Sequence, residues 1–187
     1  MALVASHALA QGETSRGADS VAVSDVVEET DDMMMVKVDH PPLADKQLKR
    51  EKVYYSIGEA MRNPDEVYKL SLMDQKLKQF PDIYRFRHLQ VLNLSNNKIK
   101  EIPAEIERLP NLTAVILHNN KIRILPDEMK TLNNLRAMYL GKNRIATMPA
   151  WVGGLSKLRK LDLSYNLVTQ YEIELIRFRL PRCEVTH

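Results

Sequence analysis

The sequence predicts an α/β solenoid whose strands form one parallel sheet on a concave face. Three observations carry this prediction. A pattern of leucine, asparagine and isoleucine recurs every 22 or 23 residues from Val67 onward. Within each copy, apolar residues alternate with other residues over a short stretch, which is typical of a strand. Only 6% of the 187 residues are aromatic, so leucine and isoleucine must supply most of the core. Self-similarity at a fixed period indicates stacked repeats.

Each repeat has the same internal order. The unit that begins at Leu89 has the pattern L-x-x-L-x-L-x-x-N-x-I-x-x-I-P, and equivalent units begin at Leu112, Leu135 and Leu158. A looser copy begins at Val67. The alternating leucines are expected to point into the core, and the proline fixes the entry into an outer segment with a second pair of inward residues.

An asparagine recurs where the chain leaves each predicted strand. Its amide can bond the backbone of neighbouring repeats, so these residues should stack as a ladder: Asn97, Asn120, Asn143 and Asn166. Breaking one rung should cost about 1–3 kcal/mol, because buried polar groups would lose their partners. Gln75 replaces the asparagine in the first unit, and Glu172 replaces the proline in the last. Terminal repeats are expected to be atypical in this way.

This repeat resembles the leucine-rich repeat family, in the 22–23-residue form common in bacterial proteins. The resemblance covers residues 67–187. It implies a short leucine-rich repeat horseshoe with its parallel sheet on the concave face, an N-terminal capping helix and a C-terminal capping helix and strand. It also implies a scaffold that binds other proteins. We therefore divide the chain into an acidic, largely disordered tail (1–45), an N-terminal cap (46–66), leucine-rich repeats (67–170) and a C-terminal cap (171–187).

The caps have their own signals. Ser56 and Glu59 form a capping box, which predicts a helix from Ile57 to Arg62 with Ile57, Ala60 and Met61 covering the first repeat. Near the other end, a second amphipathic helix is predicted from Ile173, Leu175, Ile176 and Leu180. A final strand should follow it, with Cys183 and Val185 in the places of Leu161 and Leu163.

The charge is divided unevenly along the chain. Residues 1–45 hold nine carboxylates and two cations, a net charge of −7, whereas residues 46–187 carry +10. Residues 1–10 end in Ala8-Leu9-Ala10, which resembles a signal-peptide cleavage region without its basic start. We interpret them as the remnant of a signal peptide, which predicts an extracytoplasmic (periplasmic or secreted) protein. The alternative is an unstructured alanine-rich terminus on a cytoplasmic protein. No stretch approaches 18 apolar residues, so no membrane span is expected.

Strand residues that point away from the core should form one curved surface with an apolar centre and a charged rim. Protein-binding patches are arranged in this way, although single exposed apolar residues are also common on sheets. We predict a non-catalytic protein–protein interaction module that binds a protein partner here, with Ile116 and Tyr139 as anchors. The predicted binding residues are Val91, Asn93, Ile116, His118, Ala137, Tyr139, Lys160, Asp162 and Tyr165.

A second candidate surface is a basic ridge that follows the asparagine positions, formed by Lys76, Lys98, Lys121 and Arg144. Because neighbouring strands lie about 4.8 Å apart, these cations should form a row. The row could bind nucleic acid or another polyanion, hold the acidic tail, or be a solvated face. No aromatic stacking platform accompanies it, which argues against a nucleic-acid partner. Electrostatic binding is therefore the alternative function.

Catalytic and metal signatures are absent from the sequence. It has no glycine-rich phosphate loop and no H-E-x-x-H or G-x-S-x-G motif. Its five histidines lack metal-ligand spacing, and it has one cysteine, Cys183. We therefore expect no enzymatic activity, no metal and no cofactor, and we expect a monomer.

Overall fold

The computed structural model describes residues 42–187, and seven parallel strands form one open sheet within that range. The order of the strands in the sheet follows their order in the chain, so each strand pairs with its sequence neighbours. The strands are β1 (Val53–Tyr54), β2 (Lys69–Ser71), β3 (Val91–Asn93), β4 (Ala114–Ile116), β5 (Ala137–Tyr139), β6 (Lys160–Asp162) and β7 (Glu184–Thr186).

Helical segments connect or cap the strands. The α-helices are α1 (Asp45–Arg50), α2 (Ile57–Ala60) and α3 (Gln170–Arg179). Four 3₁₀ segments lie at Pro64–Glu66, Ala104–Arg108, Asp127–Thr131 and Ala150–Gly154. The last three of these follow Pro103, Pro126 and Pro149, as the repeat pattern predicted. The predicted solenoid with a parallel sheet is thus confirmed.

The core lies between the sheet and the 3₁₀ segments and runs the length of the repeats. Equivalent repeat positions face each other across the sheet, as Leu92 does with Leu70 and Val115. All three side chains are buried in one continuous apolar cluster. Because every repeat places the same residue types at the same positions, stacking the repeats joins their separate apolar faces into one core.

The asparagine ladder forms as predicted. The Asn120 side chain donates to the carbonyls of Leu94 and Leu117 at 2.9 and 3.0 Å, and it accepts a bond from the Ile99 amide at 3.0 Å. Asn97, Asn143 and Asn166 make the equivalent bonds in their repeats. Gln75 instead donates to the Tyr55 carbonyl at 2.9 Å, beside the first strand.

Both caps are present, with differences in detail. The Glu59 amide donates to Ser56 Oγ at 3.2 Å, which confirms this N-cap. Helix α2 ends at Ala60 rather than Arg62. Ala60 is buried as predicted, whereas Met61 is exposed.

At the C-terminal end, Ile173, Ile176 and Leu180 are buried, whereas Leu175 is half-buried. The predicted register of the last strand is wrong, because Val185 pairs with Leu161 rather than with Leu163. Helix α3 and the turn after it require two more residues than the prediction allowed. Cys183 therefore falls before β7, half-buried, and burial raises the pKa of its thiol to about 11.

Three elements of the described structure were not predicted: helix α1, the 3₁₀ segment Pro64–Glu66 and strand β1, which adds a strand to the N-terminal edge of the sheet. The signal-like residues 1–10 and most of the predicted acidic tail lie outside the described residues, as does everything before residue 42. No helix within residues 42–187 is long and apolar enough to cross a membrane.

Candidate protein-binding surface

The concave face presents residues in columns, because the strands pair in register. The first column contains Lys69, Val91, Ala114, Ala137 and Lys160. The second column contains Ser71, Asn93, Ile116, Tyr139 and Asp162. Seven of the nine residues that the sequence placed on this surface lie in these two columns; His118 and Tyr165 do not.

Helix α1 covers the centre of the first column. Leu48 is only 2% exposed and forms a small apolar cluster with Val91, Ala114 and Ala137. Leu43, Tyr68 and Tyr139 pack against that cluster from its edges. Val91 and Ala137, which the sequence placed at the predicted binding surface, therefore contact this chain's own helix. A partner could reach them only by displacing α1.

Polar contacts fix α1 at both ends. Near its start, the Asp45 carboxylate receives two bonds from Arg136 Nη1, at 3.1 and 3.2 Å. Near its end, Lys69 Nζ donates to the Lys49 carbonyl at 3.4 Å. Burial beneath the helix lowers the pKa of Lys69, against a smaller opposing effect from the Glu51 carboxylate. The helix therefore crosses the sheet from the β5 side to the β2 side, opposite to the order of the strands.

The centre of the second column is also closed. Ile116 is 1% exposed although it belongs to neither apolar cluster, so this predicted anchor offers no surface to a partner. Asn93 is buried too, and its side-chain oxygen accepts bonds from the Ser95 amide at 2.9 Å and the Ser95 hydroxyl at 2.7 Å. Tyr139, the other predicted anchor, is half-buried.

Toward the C-terminal end, the concave face opens into a recess of about 300 Å³. Asp162 stands in its wall and accepts bonds from the Ser164 amide at 2.9 Å, from the Ser164 hydroxyl and from the Thr186 hydroxyl at 3.2 Å. These bonds hold the carboxylate in one orientation. The recess is lined by Tyr139, Lys160, Leu161, Asp162, Ser164, Glu184 and Thr186. Three predicted binding residues thus meet in one place.

Tyr165 lies just beyond β6 and is 77% exposed. Its backbone is left-handed, with φ of 54°, a conformation that bulky residues rarely adopt. The residue directly before each ladder asparagine has the same left-handed conformation. At two of these positions the residue is itself an asparagine, Asn96 or Asn119, which adopts this conformation more readily than tyrosine does. The ammonium of Lys142 lies 5.5 Å from the centre of the Tyr165 ring, a cation–π contact. An aromatic side chain is therefore held in solvent at a site where folding alone favours asparagine or glycine.

His118 is buried, and within residues 42–187 its Nε2 atom has no hydrogen-bond partner. Burial lowers the pKa of His118, while the Asp162 carboxylate acts in the opposite direction. Gly141 separates these two side chains. A Cβ atom at Gly141 would lie 2.7 Å from Asp162 Oδ2 and 2.8 Å from His118 Nδ1, so only glycine fits between them without a shift.

The predicted basic ridge is exposed on a different part of the solenoid. Lys76, Lys98, Lys121 and Arg144 are all exposed. In the described part of the chain, none of the four forms an ion pair with a carboxylate. Leu167 occupies the next equivalent position, so the row of cations ends at the fourth repeat.

Comparison with known proteins agrees with this architecture. A family model described as a leucine-rich repeat region matches residues 67–176. The chain belongs to the leucine-rich repeat family. Proteins of this family generally act as protein-interaction modules and are typically non-catalytic. No curated protein sequence matches the chain at a significant level.

Solved structures show the same fold. A leucine-rich repeat protein of Leptospira interrogans is 29% identical with a TM-score of 0.56, over 72% of this chain and 40% of its own. Internalin C2 of Listeria monocytogenes is 20% identical with a TM-score of 0.58, over 71% of this chain and 57% of its own. This chain therefore spans less than two thirds of either protein, and the internalin likeness concerns the fold alone.

Proposed function

We propose that this protein binds a protein partner, without catalysis, at the C-terminal end of its concave face. We call this surface the C-terminal concave site and define it by Tyr139, Lys142, Lys160, Asp162 and Tyr165. The observation that carries the proposal is Tyr165, which is 77% exposed on a left-handed backbone. Neither burial nor backbone preference explains a tyrosine there, whereas a partner that covers its ring would.

The surroundings of Tyr165 support the proposal. An interface is strongest where an aromatic anchor stands beside a recess with a polar rim. Here the recess of about 300 Å³ has Lys160 and Asp162 in its wall, together with Ser164, the residue before Tyr165 in the chain. The ladder and the bonds to Asp162 hold these groups in place before a partner arrives, so binding requires little further ordering.

The covered part of the face is a poor candidate. Leu48 already fills the space above Val91, Ala114 and Ala137, and Arg136 holds Asp45 at the start of the same helix. A partner that used those residues would first have to expose this apolar cluster to water. The proposed site is therefore narrower than the surface predicted from sequence, and it excludes Ile116.

A photocrosslinking residue at position 165 would test the proposal, with the same residue at position 124 as the matched control. Ile124 is 75% exposed, nearly as much as Tyr165, but it lies outside the concave columns. We expect one protein to be captured from position 165 and not from position 124. The captured protein, once purified, should bind saturably and lose about 10- to 100-fold in affinity with Tyr165→Ala, the size of an interface hot spot.

Salt separates this proposal from the electrostatic alternative. Docking on an aromatic anchor should persist at high salt, whereas polyanion binding by the ridge should weaken steeply. Capture equal at both positions, or binding that survives Tyr165→Ala but is lost with Lys98→Gln and Lys121→Gln at low salt, would refute the concave proposal.

We also propose that the protein functions outside the cytoplasm, supported by the Ala8-Leu9-Ala10 pattern. Fractionation of cells expressing the chain with a C-terminal tag tests this. Recovery in a periplasmic or secreted fraction, with residues 1–10 removed, is the expected result. An uncleaved cytoplasmic protein would contradict it.

A further inference from the structure

We infer that the acidic segment 28–39 of this same chain docks on the C-terminal concave site and competes there with the partner. The competition rests on the proposed function, but the contact itself does not and can be measured without any partner. Three observations carry the inference: the path of α1 across the sheet, the charge of the two surfaces, and the length of chain available.

The chain already uses this face as a docking site for its own N-terminal part. Leu43 and Leu48 pack on the concave apolar cluster, and Tyr139 packs against the same cluster. Asp45 at the start of α1 is bonded to Arg136, which directly precedes β5. Followed backward, α1 therefore runs from the β2 side to the β5 side, and Asp45 lies three residues after Pro42, the first described residue.

The charges of the two surfaces are complementary. Segment 28–39 holds five carboxylates and one cation, a net charge of −4: Glu28, Glu29, Asp31, Asp32, Lys37 and Asp39. The surface beside β5 and β6 carries three cations (Lys142, Arg159 and Lys160) and two carboxylates (Asp162 and Glu184), a net charge of +1. The Asp162 carboxylate already accepts bonds from Ser164 and Thr186. The Asp45–Arg136 pair shows one carboxylate of the N-terminal region already bound to a cation of this sheet. Charge attraction of this kind steers a tethered segment to one surface.

The segment also supplies apolar side chains and has sufficient length. Met33, Met34 and Met35 lie eight to ten residues before Leu43, and ten extended residues reach about 33 Å. The distance across two neighbouring strands is only about 10 Å. Methionine adapts to irregular apolar surfaces, so these side chains suit a recess walled by Tyr139 and Leu161.

Paramagnetic relaxation in the full chain tests the contact. A nitroxide at Thr30→Cys, in a Cys183→Ser background, should reduce the amide intensities of β5 and β6 more strongly than those of β2, which lies three strands from β5. The substitutions Asp31→Asn, Asp32→Asn and Asp39→Asn should restore them. The matched control removes three carboxylates outside the segment (Glu13→Gln, Asp19→Asn and Asp25→Asn) and should restore little. The diamagnetic label reports whether each variant keeps the wild-type spectrum.

Three results would overturn the inference. The first is a loss of amide intensity centred on Lys98 and Lys121 of the basic ridge, and the second is no loss at β5 and β6. The third is an equal loss when labelled chains are mixed with separate ¹⁵N-enriched chains, because the contact would then form between molecules. Partner binding is a separate measurement. If the segment occupies the site about 90% of the time, its neutralisation should tighten binding about tenfold. An unchanged affinity would refute the competition while the contact stands, and failure to capture any partner would refute the proposed function alone.

Discussion

The asparagine ladder gives the prediction that can be worked furthest from the structure. Asn120 is the central buried rung, and its amide bonds the carbonyls of Leu94 and Leu117, each of which also accepts a bond from the neighbouring rung, Asn97 or Asn143. Its oxygen accepts the Ile99 amide. Asn120→Ala therefore removes three hydrogen bonds in one step and leaves the Ile99 amide without its partner.

The Ile99 amide, left without a partner, costs about 1–3 kcal/mol, and each lost bond to a carbonyl that keeps a second donor costs about 0.5–1.5 kcal/mol, less where water can enter. We expect Asn120→Ala to lower the free energy of unfolding by about 3 kcal/mol. Asn166 makes the same bonds in the last repeat but is half-buried, so water can replace part of what is lost. Asn166→Ala should therefore cost less, about 1–2 kcal/mol.

Urea unfolding followed by Trp151 fluorescence and by circular dichroism measures both variants. The m-value should stay unchanged if the same surface is exposed on unfolding. Asn133→Ala is the control, because Asn133 is exposed and lies outside the ladder. The reasoning would be refuted if Asn120→Ala cost under about 1 kcal/mol, or if the two ladder variants were equal.

Three further predictions concern the concave face. Leu48→Ala should remove the centre of the apolar cluster that Leu48 forms with Val91, Ala114 and Ala137. We expect it to lower the free energy of unfolding by about 2–3 kcal/mol and to speed amide hydrogen exchange in α1. Lys46→Ala, on the exposed face of α1, should do neither. Gly141→Ala should lower the free energy of unfolding in urea by about 1–3 kcal/mol, because the new Cβ atom would overlap the side chains of His118 and Asp162. Gly154→Ala should leave that free energy nearly unchanged, because a Cβ atom at Gly154 has open space around it. His118 has a folded pKa below its unfolded value, so the unfolded state binds more protons and stability should fall as pH drops below about 6.5. His118→Gln should flatten that slope between pH 7.5 and 5.5, and an unchanged slope would contradict the assignment.

The periodicity of the sequence determined the repeats, the ladder and the identity of the concave columns. Each of these depends on contacts between adjacent repeats, and in a solenoid adjacent repeats are 22 or 23 residues apart in sequence. Leu92 contacts its counterparts because every repeat carries the same pattern. The Ser56 cap could be predicted for a similar reason, since its bond spans only three residues.

Tertiary structure alone decided which part of the concave face is open. Helix α1 is six residues long, too short to be stable by itself, so its position depends on packing. Leu48 meets Ala137, and Asp45 meets Arg136, 91 residues away in sequence. No local pattern encodes such a contact, which is why Val91 and Ala137 were expected to face a partner. The sequence showed which residues point away from the core, but the docking of α1 determined which of them remain accessible.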